Sequence, residues 1–329
     1  MYVEKKKIGN HAYHYARISV RCGKTIKTKT IAYLGKDSMT HKEINEKMKK
    51  IPKKVIAASY RALKTMASST TAEITPQFLT VEQLKKISTI KKEFSNKIAL
   101  PDKKLIEDMF KDFKTNYVYN TNAIEGNTLT LEETQLLLNE NKTPEGKDLR
   151  EIYDHLNEKE TFDYILKEKP EINVALIINL HTLLLNKIDT RRGGFRTHDV
   201  HVFGADFETT EARYVTTDMN LLLKWYHQHQ QKLHPLILAA LFHEKFERIH
   251  PFYDGNGRTG RMLLNLILLR KSYPPLIIKN KDRKEYYRVL SLGHKGDLTG
   301  IQSEHYKALV TFCYTQLLTT YETIFSQWG

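Results

Sequence analysis

The tightest constraint on this chain is the run HPFYDGNGRTGR, His250 to Arg261, set between two strongly apolar segments, PLILAALFHEKFERI and MLLNLILL. Apolar residues recur at three- and four-residue spacing in the first segment, which predicts a helix. Pro251 disfavours helical backbone at His250, so that helix ends there. DGNG holds too much glycine to continue it, and a helical pattern restarts beyond. The run therefore predicts helix, tight loop, helix. The amides of Gly255, Asn256 and Gly257 then stand at an incoming helix N-terminus, where unpaired N–H groups and the helix dipole favour an anion. Arg258 and Arg261, at i and i+3, share the first turn and can bracket phosphate oxygens. Asp254 supplies one carboxylate, which with phosphate oxygens and water suits Mg²⁺. His250 is a candidate base near neutral pH. Taken singly, a histidine after a helix reads as a cap and DGNG as a turn; in conjunction they point to phosphoryl or nucleotidyl transfer from a nucleoside triphosphate.

From Pro76 onward helical periodicity dominates, in VEQLKKISTIKKEF, LEETQLLLNE, IYDHLNEKETFDYIL, VALIINLHTLLL, LLLKWYHQHQ, KEYYRVLSL and ALVTFCYTQLLTTYETIF. Thr130 and Glu133 have capping-box spacing. The interruption is residues 191–215, where Val200, Val202, Tyr214 and Val215 flank a turn centred on Gly204, predicting one β-hairpin on a helical body. HEKFE, from His243, lacks the second histidine of a zinc protease. His198 and His201 would face opposite sides of a strand, so they read as surface histidines.

Charge divides the chain unevenly. Residues 1–70 carry 17 Lys+Arg against 4 Asp+Glu, while the remainder carries 35 against 34. The basic segment suits an anionic partner such as nucleic acid, or else a solvated lysine-rich surface. Within it, HAYHYARISV and TIKTKTIAYL read as antiparallel strands between turns at Gly9-Asn10, Cys22-Gly23-Lys24 and Gly35-Lys36. SMTHKEINEKMKK follows as a polar helix with Thr40 and Glu43 at capping-box spacing. Periodicity then lapses up to Pro76, which predicts a small basic β-rich domain over 1–75 and a second domain over 76–329. Two cysteines, Cys22 and Cys313, give no disulfide framework. With neither a signal-peptide pattern nor a membrane-length apolar run, the expectation is a cytoplasmic protein.

HPFYDGNGRTGR resembles, at every fixed position, the HxFx(D/E)GNGRxxR motif of the Fic-domain family. The resemblance implies a mainly α, Fic-type helical bundle with a β-hairpin flap, over roughly residues 80–329. It implies a protein adenylyltransferase, moving AMP from ATP to a Ser, Thr or Tyr hydroxyl of a protein, possession of ATP and Mg²⁺ being required. His250 would be the base, Asp254 the metal ligand, and Asn256 with the loop amides of Gly255 and Gly257 the α-phosphate cradle. Arg258 and Arg261 would meet the β- and γ-phosphates, and Phe252 would anchor the core. Asn265, Tyr286 and Tyr287 resemble nucleoside-pocket positions. RTHDVHVFG resembles the family's flap, so Val200, His201 and Val202 would pair with the acceptor by strand addition. The family's proline cluster after the flap is replaced here by ETTEARYV.

NTNAIEGNTLT, residues 120–130, resembles the inhibitory (S/T)xxxE(G/N) motif that some Fic proteins carry, here Thr121, Glu125 and Gly126 on a helix near 108–126. The resemblance implies that Glu125 competes with the γ-phosphate for Arg261. The small sheet ending in Tyr33, Leu34, Gly35 and Lys36 resembles one found ahead of some transposases and some Fic-family proteins. Three alternatives stay open: removal of AMP with Glu125 positioning a water, transfer of a different group, and a nucleic-acid-binding regulator acting through residues 1–70. Among partners, the acceptor could be this chain itself; dimers are common in the family, and no residue here demands a homodimer.

Overall fold

Alternation builds the N-terminal strands. The computed structural model describes residues 1–8, 11–22, 25–57, 59, 75–200 and 209–328, and these divide into two compact units, Met1–Ile74 and Thr75–Gly329. In the first, β1 (Tyr2–Ile8), β2 (His11–Cys22) and β3 (Thr25–Lys36) form an antiparallel meander in the order β1-β2-β3. Sequence patterning predicts β2 and β3 but not β1, because three lysines in YVEKKKI hide its alternation. His14, Ala16 and Ile18 of β2 and Leu34 of β3 are buried, as period-two geometry requires of one sheet face. Helix α1 (His41–Lys49) starts at the Thr40–Glu43 capping box, and its Lys47 Nζ donates to the Leu34 carbonyl.

The second unit is helical. Its described helices are α2 (Val81–Ile98), α3 (Lys103–Ile124), α4 (Leu131–Glu140), α5 (Leu149–Glu168), α6 (Val174–Leu184), α7 (Val215–His229), α8 (Pro235–Ile249), α9 (Asn256–Arg270), α10 (Arg283–Gly293) and α11 (Ser303–Thr323). Helices α8 and α9 are buried on nearly every face, so they occupy the centre. Helix α8 is surrounded by α7, α10 and α11; α9 rests on α5, α6 and α3. Phe94, Phe110, Phe113, Phe162 and Phe325 form an aromatic cluster, with the Phe94 and Phe325 rings 5.1 Å apart edge to face. Among the described residues, no helix is long and apolar enough to cross a membrane.

The predicted hairpin is corrected at one end. Ala212–Tyr214 is a single 3₁₀ turn and Val215 opens α7, so Tyr214 and Val215 are helical, not strand. The reason lies in Val215, Met219, Leu222 and Leu223, which recur at helical spacing and are all buried. Thr209 Oγ1 donates to the Val200 carbonyl at 3.2 Å. His201, Val202 and the Gly204 turn lie outside the described residues.

Candidate active site

Helix α8 stops where Pro251 requires it to. His250 leaves the helix in the left-handed region, φ 52°, instead of the extended region usual before proline. That conformation costs a non-glycine residue roughly 1–2 kcal/mol, and a buried arginine holds it. Arg196 Nε donates to the His250 carbonyl at 2.8 Å, its Nη1 to the His198 carbonyl at 3.1 Å, and its backbone N–H to the Pro251 carbonyl at 2.9 Å. The imidazole of His250 stays half-buried, with Nδ1 3.3 Å from the Glu247 carbonyl. That contact places the proton on Nδ1 and leaves Nε2 as an acceptor. Burial pushes the His250 pKa down to about 4, so the ring is neutral at pH 7.

The loop is locked from below. Phe252 is fully buried, and its ring stacks on His181 of α6 at 3.7 Å between centroids. His181 Nε2 donates to the Asp254 carbonyl at 3.1 Å. Gly255 has φ 74°, and a Cβ there would collide with Leu185, so both backbone and space demand glycine. The Asn256 side chain, expected at the α-phosphate, instead grips Phe252: its Oδ1 accepts from the Phe252 N–H at 2.9 Å and its Nδ2 donates to the Phe252 carbonyl at 2.8 Å. A tight loop with buried backbone needs these bonds satisfied. The Gly255 N–H, likewise expected in the cradle, donates to Asp254 Oδ1 at 2.6 Å. The amides of Asn256, Gly257 and Arg258 belong to the first turn of α9, where no carbonyl precedes them by a turn.

Both arginines are buried, and each meets a carboxylate from a different helix. Arg258 Nη1 pairs with Asp154 of α5, with Asp254 Oδ1 3.9 Å from its other nitrogen. Arg261 Nη2 pairs with Glu125 Oε1 at 2.6 Å, while its Nε donates to Thr121 Oγ1 at 2.8 Å and Nη2 to the Thr121 carbonyl at 3.1 Å. Glu125 caps the C-terminus of α3, and Gly126 follows with φ 97°, a helix stop that favours glycine. A Cβ on Gly257 would collide with the Glu125 carboxylate. The carboxylate thus lies over the α9 N-terminus, the position the helix dipole favours for an anion.

Asp254 stands at the mouth of the loop, its Oδ2 paired with the exposed Arg150 guanidinium. Burial raises its pKa, but Arg258, the Gly255 N–H and Arg150 outweigh that and leave it lowered. A half-exposed carboxylate beside helix amides fits the donor set of Mg²⁺, which takes one or two carboxylates plus phosphate and water, and the metal would take the place of Arg150 on its outer oxygen. Among the described residues, no group of three His, Cys, Asp or Glu gathers into a protein-only metal cage.

The three expected nucleoside-pocket residues stand in different surroundings. Asn265 is buried and holds Leu276, donating to its carbonyl at 3.0 Å and accepting from its N–H at 2.8 Å. The Tyr286 hydroxyl contacts His243 Nε2 at 2.7 Å inside the core. Tyr287 alone of the three is exposed, its ring near the Arg283 guanidinium. Sequence reading missed Asp154, His181 and the bracing role of Arg196. Asp154 lay among the polar residues of DHLNE, which look solvent-facing until α5 turns Asp154, His155, Asn157 and Glu158 inward. His181 carried a signal, a single imidazole within an apolar helix.

Residues 171–268 match the Fic/DOC family. The chain is 37% identical over 177 residues to the protein adenylyltransferase Fic of Drosophila ananassae, an overlap covering 51% of this chain and 34% of that protein. The Drosophila melanogaster protein of the same name is 36% identical over 177 residues, 51% of this chain and 35% of its own. The chain thus spans about a third of the length of these curated relatives. A Fic domain containing signaling protein from Bacteroides thetaiotaomicron superposes with a TM-score of 0.66 at 26% identity, covering 71% of this chain and 94% of that one. Fic-1 from C. elegans superposes with a TM-score of 0.62 at 25% identity, covering 83% and 78% respectively. The family match over residues 171–268 and these likenesses together place a Fic domain around the central helix–loop–helix.

Proposed function

We propose that this chain is a protein adenylyltransferase that moves AMP from ATP to a Ser, Thr or Tyr hydroxyl, and that it rests with Glu125 holding Arg261 away from the triphosphate. The observation that carries this reading is the Glu125–Arg261 ion pair laid across the N-terminus of α9. An anion already occupies the place where phosphate charge would collect.

In the reaction, the neutral His250 Nε2 takes the proton of the acceptor hydroxyl as its oxygen attacks the α-phosphorus. The bond to the bridging oxygen of pyrophosphate breaks, and pyrophosphate carries away the electron pair. First-turn amides of α9 stabilise charge developing on the α-phosphate, and Arg258 and Arg261 meet the outer phosphates. Asp254 would hold Mg²⁺, whose charge offsets that of the phosphates when bound. Charge near His250 from Asp254 and Glu125 raises its pKa against burial, and bound phosphates act in the same direction.

The Glu125→Gly variant, incubated with labelled ATP and Mg²⁺, is expected to incorporate about tenfold more AMP than wild type or better, a factor equal to roughly 1.4 kcal/mol of barrier. Equal incorporation would refute the resting role of Glu125. Loss of AMP from a pre-modified protein, dependent on Glu125, would reverse the direction of the reaction assigned here.

A further inference from the structure

One face of the N-terminal sheet carries chemistry that adenylyl transfer does not use. Strand register sorts the side chains. Tyr13 of β2 lies opposite Lys6 of β1 and Lys36 of β3; Tyr15 lies opposite Glu4 and Tyr33; Arg17 lies opposite Tyr2 and Thr30. Directly paired residues share a face, and the other face holds the buried His14, Ala16, Ile18 and Leu34. Four tyrosines therefore stand on one side of a three-stranded sheet. Tyr33 is 55% exposed and Tyr2 39% exposed. The Tyr33 ring lies 5.6 Å from Tyr15 and 6.4 Å from Tyr13, and Lys36 Nζ sits 5.9 Å over the Tyr13 ring.

Large exposed rings on a sheet are unusual without a ligand, since each leaves apolar area in water. Their surroundings indicate its chemistry. Lys6 and Lys36 are exposed on the same face, and Lys5, Lys7 and Lys29 are exposed along the strands. The acids on and next to the sheet are already engaged: Glu4 by Arg17 at 2.8 Å, and Asp37 by His11 at 3.1 Å. Seventeen of the chain's basic residues fall within residues 1–70 against four acidic ones. A face of flat aromatic rings in a positive field matches a polyanion that also presents flat rings.

We propose that this face binds single-stranded nucleic acid, with bases stacked on Tyr13, Tyr15 and Tyr33 and phosphates met by Lys6 and Lys36. Aromatic stacking tolerates any base, and the cations track the backbone, so binding is salt-dependent and only loosely sequence-selective. Duplex DNA buries its base faces within the stack and offers the tyrosines nothing to stack on. An acidic protein would satisfy the lysines and leave the rings uncovered.

The test is fluorescence anisotropy of the full chain with labelled oligo(dT), oligo(rU) and a duplex of equal length. Both single strands are expected to bind more tightly than the duplex, and to weaken roughly tenfold between about 50 and about 200 mM salt. Tyr33→Ala is expected to weaken single-strand binding about tenfold, in the range stacking supplies per base, whereas Tyr33→Phe keeps it. Tyr33 is exposed, so far-UV circular dichroism and Mg·ATP uptake should match wild type in both variants. Three results would overturn the proposal: no single-strand binding at low salt, equal affinity for duplex, or competition by polyglutamate with indifference to Tyr33→Ala, which would reveal a charged surface alone. The preference between dT and rU distinguishes DNA from RNA as the occupant.

Discussion

Asn265 holds both the N–H and the C=O of Leu276 in a dry interior, so its amide stands where a nucleoside contact was expected. Replacing it with alanine leaves two buried backbone groups without partners, at about 1–3 kcal/mol each. Asn265→Ala is therefore expected to lower unfolding stability by about 3 kcal/mol in urea titration. A residue that touched the base would instead weaken nucleotide affinity and leave the urea midpoint where it is. Asn256 makes the same kind of two-sided bond to Phe252. An asparagine in a motif displays donor and acceptor alike, and nothing in the primary structure says whether they face backbone or ligand. Tyr286 and Tyr287 make the point from adjacent positions, one buried on His243 and one exposed, because successive helix residues point about 100° apart.

At the scale of elements, the candidate site is assembled on the first turn of α9 by the C-terminus of α3, the inner face of α5 and the loop ahead of α9. Helix α3 and its cap bring three acceptors to Arg261, the Thr121 hydroxyl and carbonyl and, one helical turn on, the Glu125 carboxylate. Glycine at 257 and 260 makes the approach tight, since Cβ atoms there would collide with Glu125 and with Glu247 and His243 respectively. If Thr121 helps hold the arginine toward Glu125, Thr121→Ala is expected to raise AMP incorporation above wild type yet below Glu125→Gly. The gain should stay under the roughly tenfold, about 1.4 kcal/mol, expected of Glu125→Gly. Incorporation unchanged from wild type, with folding intact, would confine Thr121 to packing.

Over the helical unit as a whole, buried ionisable groups predict a stability maximum in pH. Burial lowers His155, His181, His234 and His250 to about 4 and His243 to about 3, from 6.5. These rings bind more protons unfolded than folded, so their contribution is present above pH 6.5 and is lost as pH falls toward 4. Burial raises Glu158 to about 7 and Glu247 to about 8, from 4.5. Their contribution has the opposite sign, complete below pH 4.5 and lost as pH rises through 7 to 8. Histidines outnumber glutamates in the overlap, so urea midpoints should rise from pH 5 to about 6.5 and then fall toward pH 8. Glu247→Gln is expected to flatten the alkaline limb. A limb that kept its slope in that variant would assign it to other groups.

Local pattern made much of this molecule readable in advance. Apart from α3, the helices of the second unit follow from apolar spacing, the breaks at Pro251 and Gly255 from backbone sterics, and the likeness to Fic proteins from HPFYDGNGRTGR. These are short-range properties, governed by neighbours within a turn or two of chain. Partnership is different. That Arg258 meets Asp154, 104 residues away, that Arg261 meets Glu125, 136 away, and that Arg196 braces His250 depends on which helix faces pack together. Burial then decides the chemistry, because the same carboxyl or imidazole titrates differently in a dry core than in water, and only the assembled fold decides which of them the core encloses.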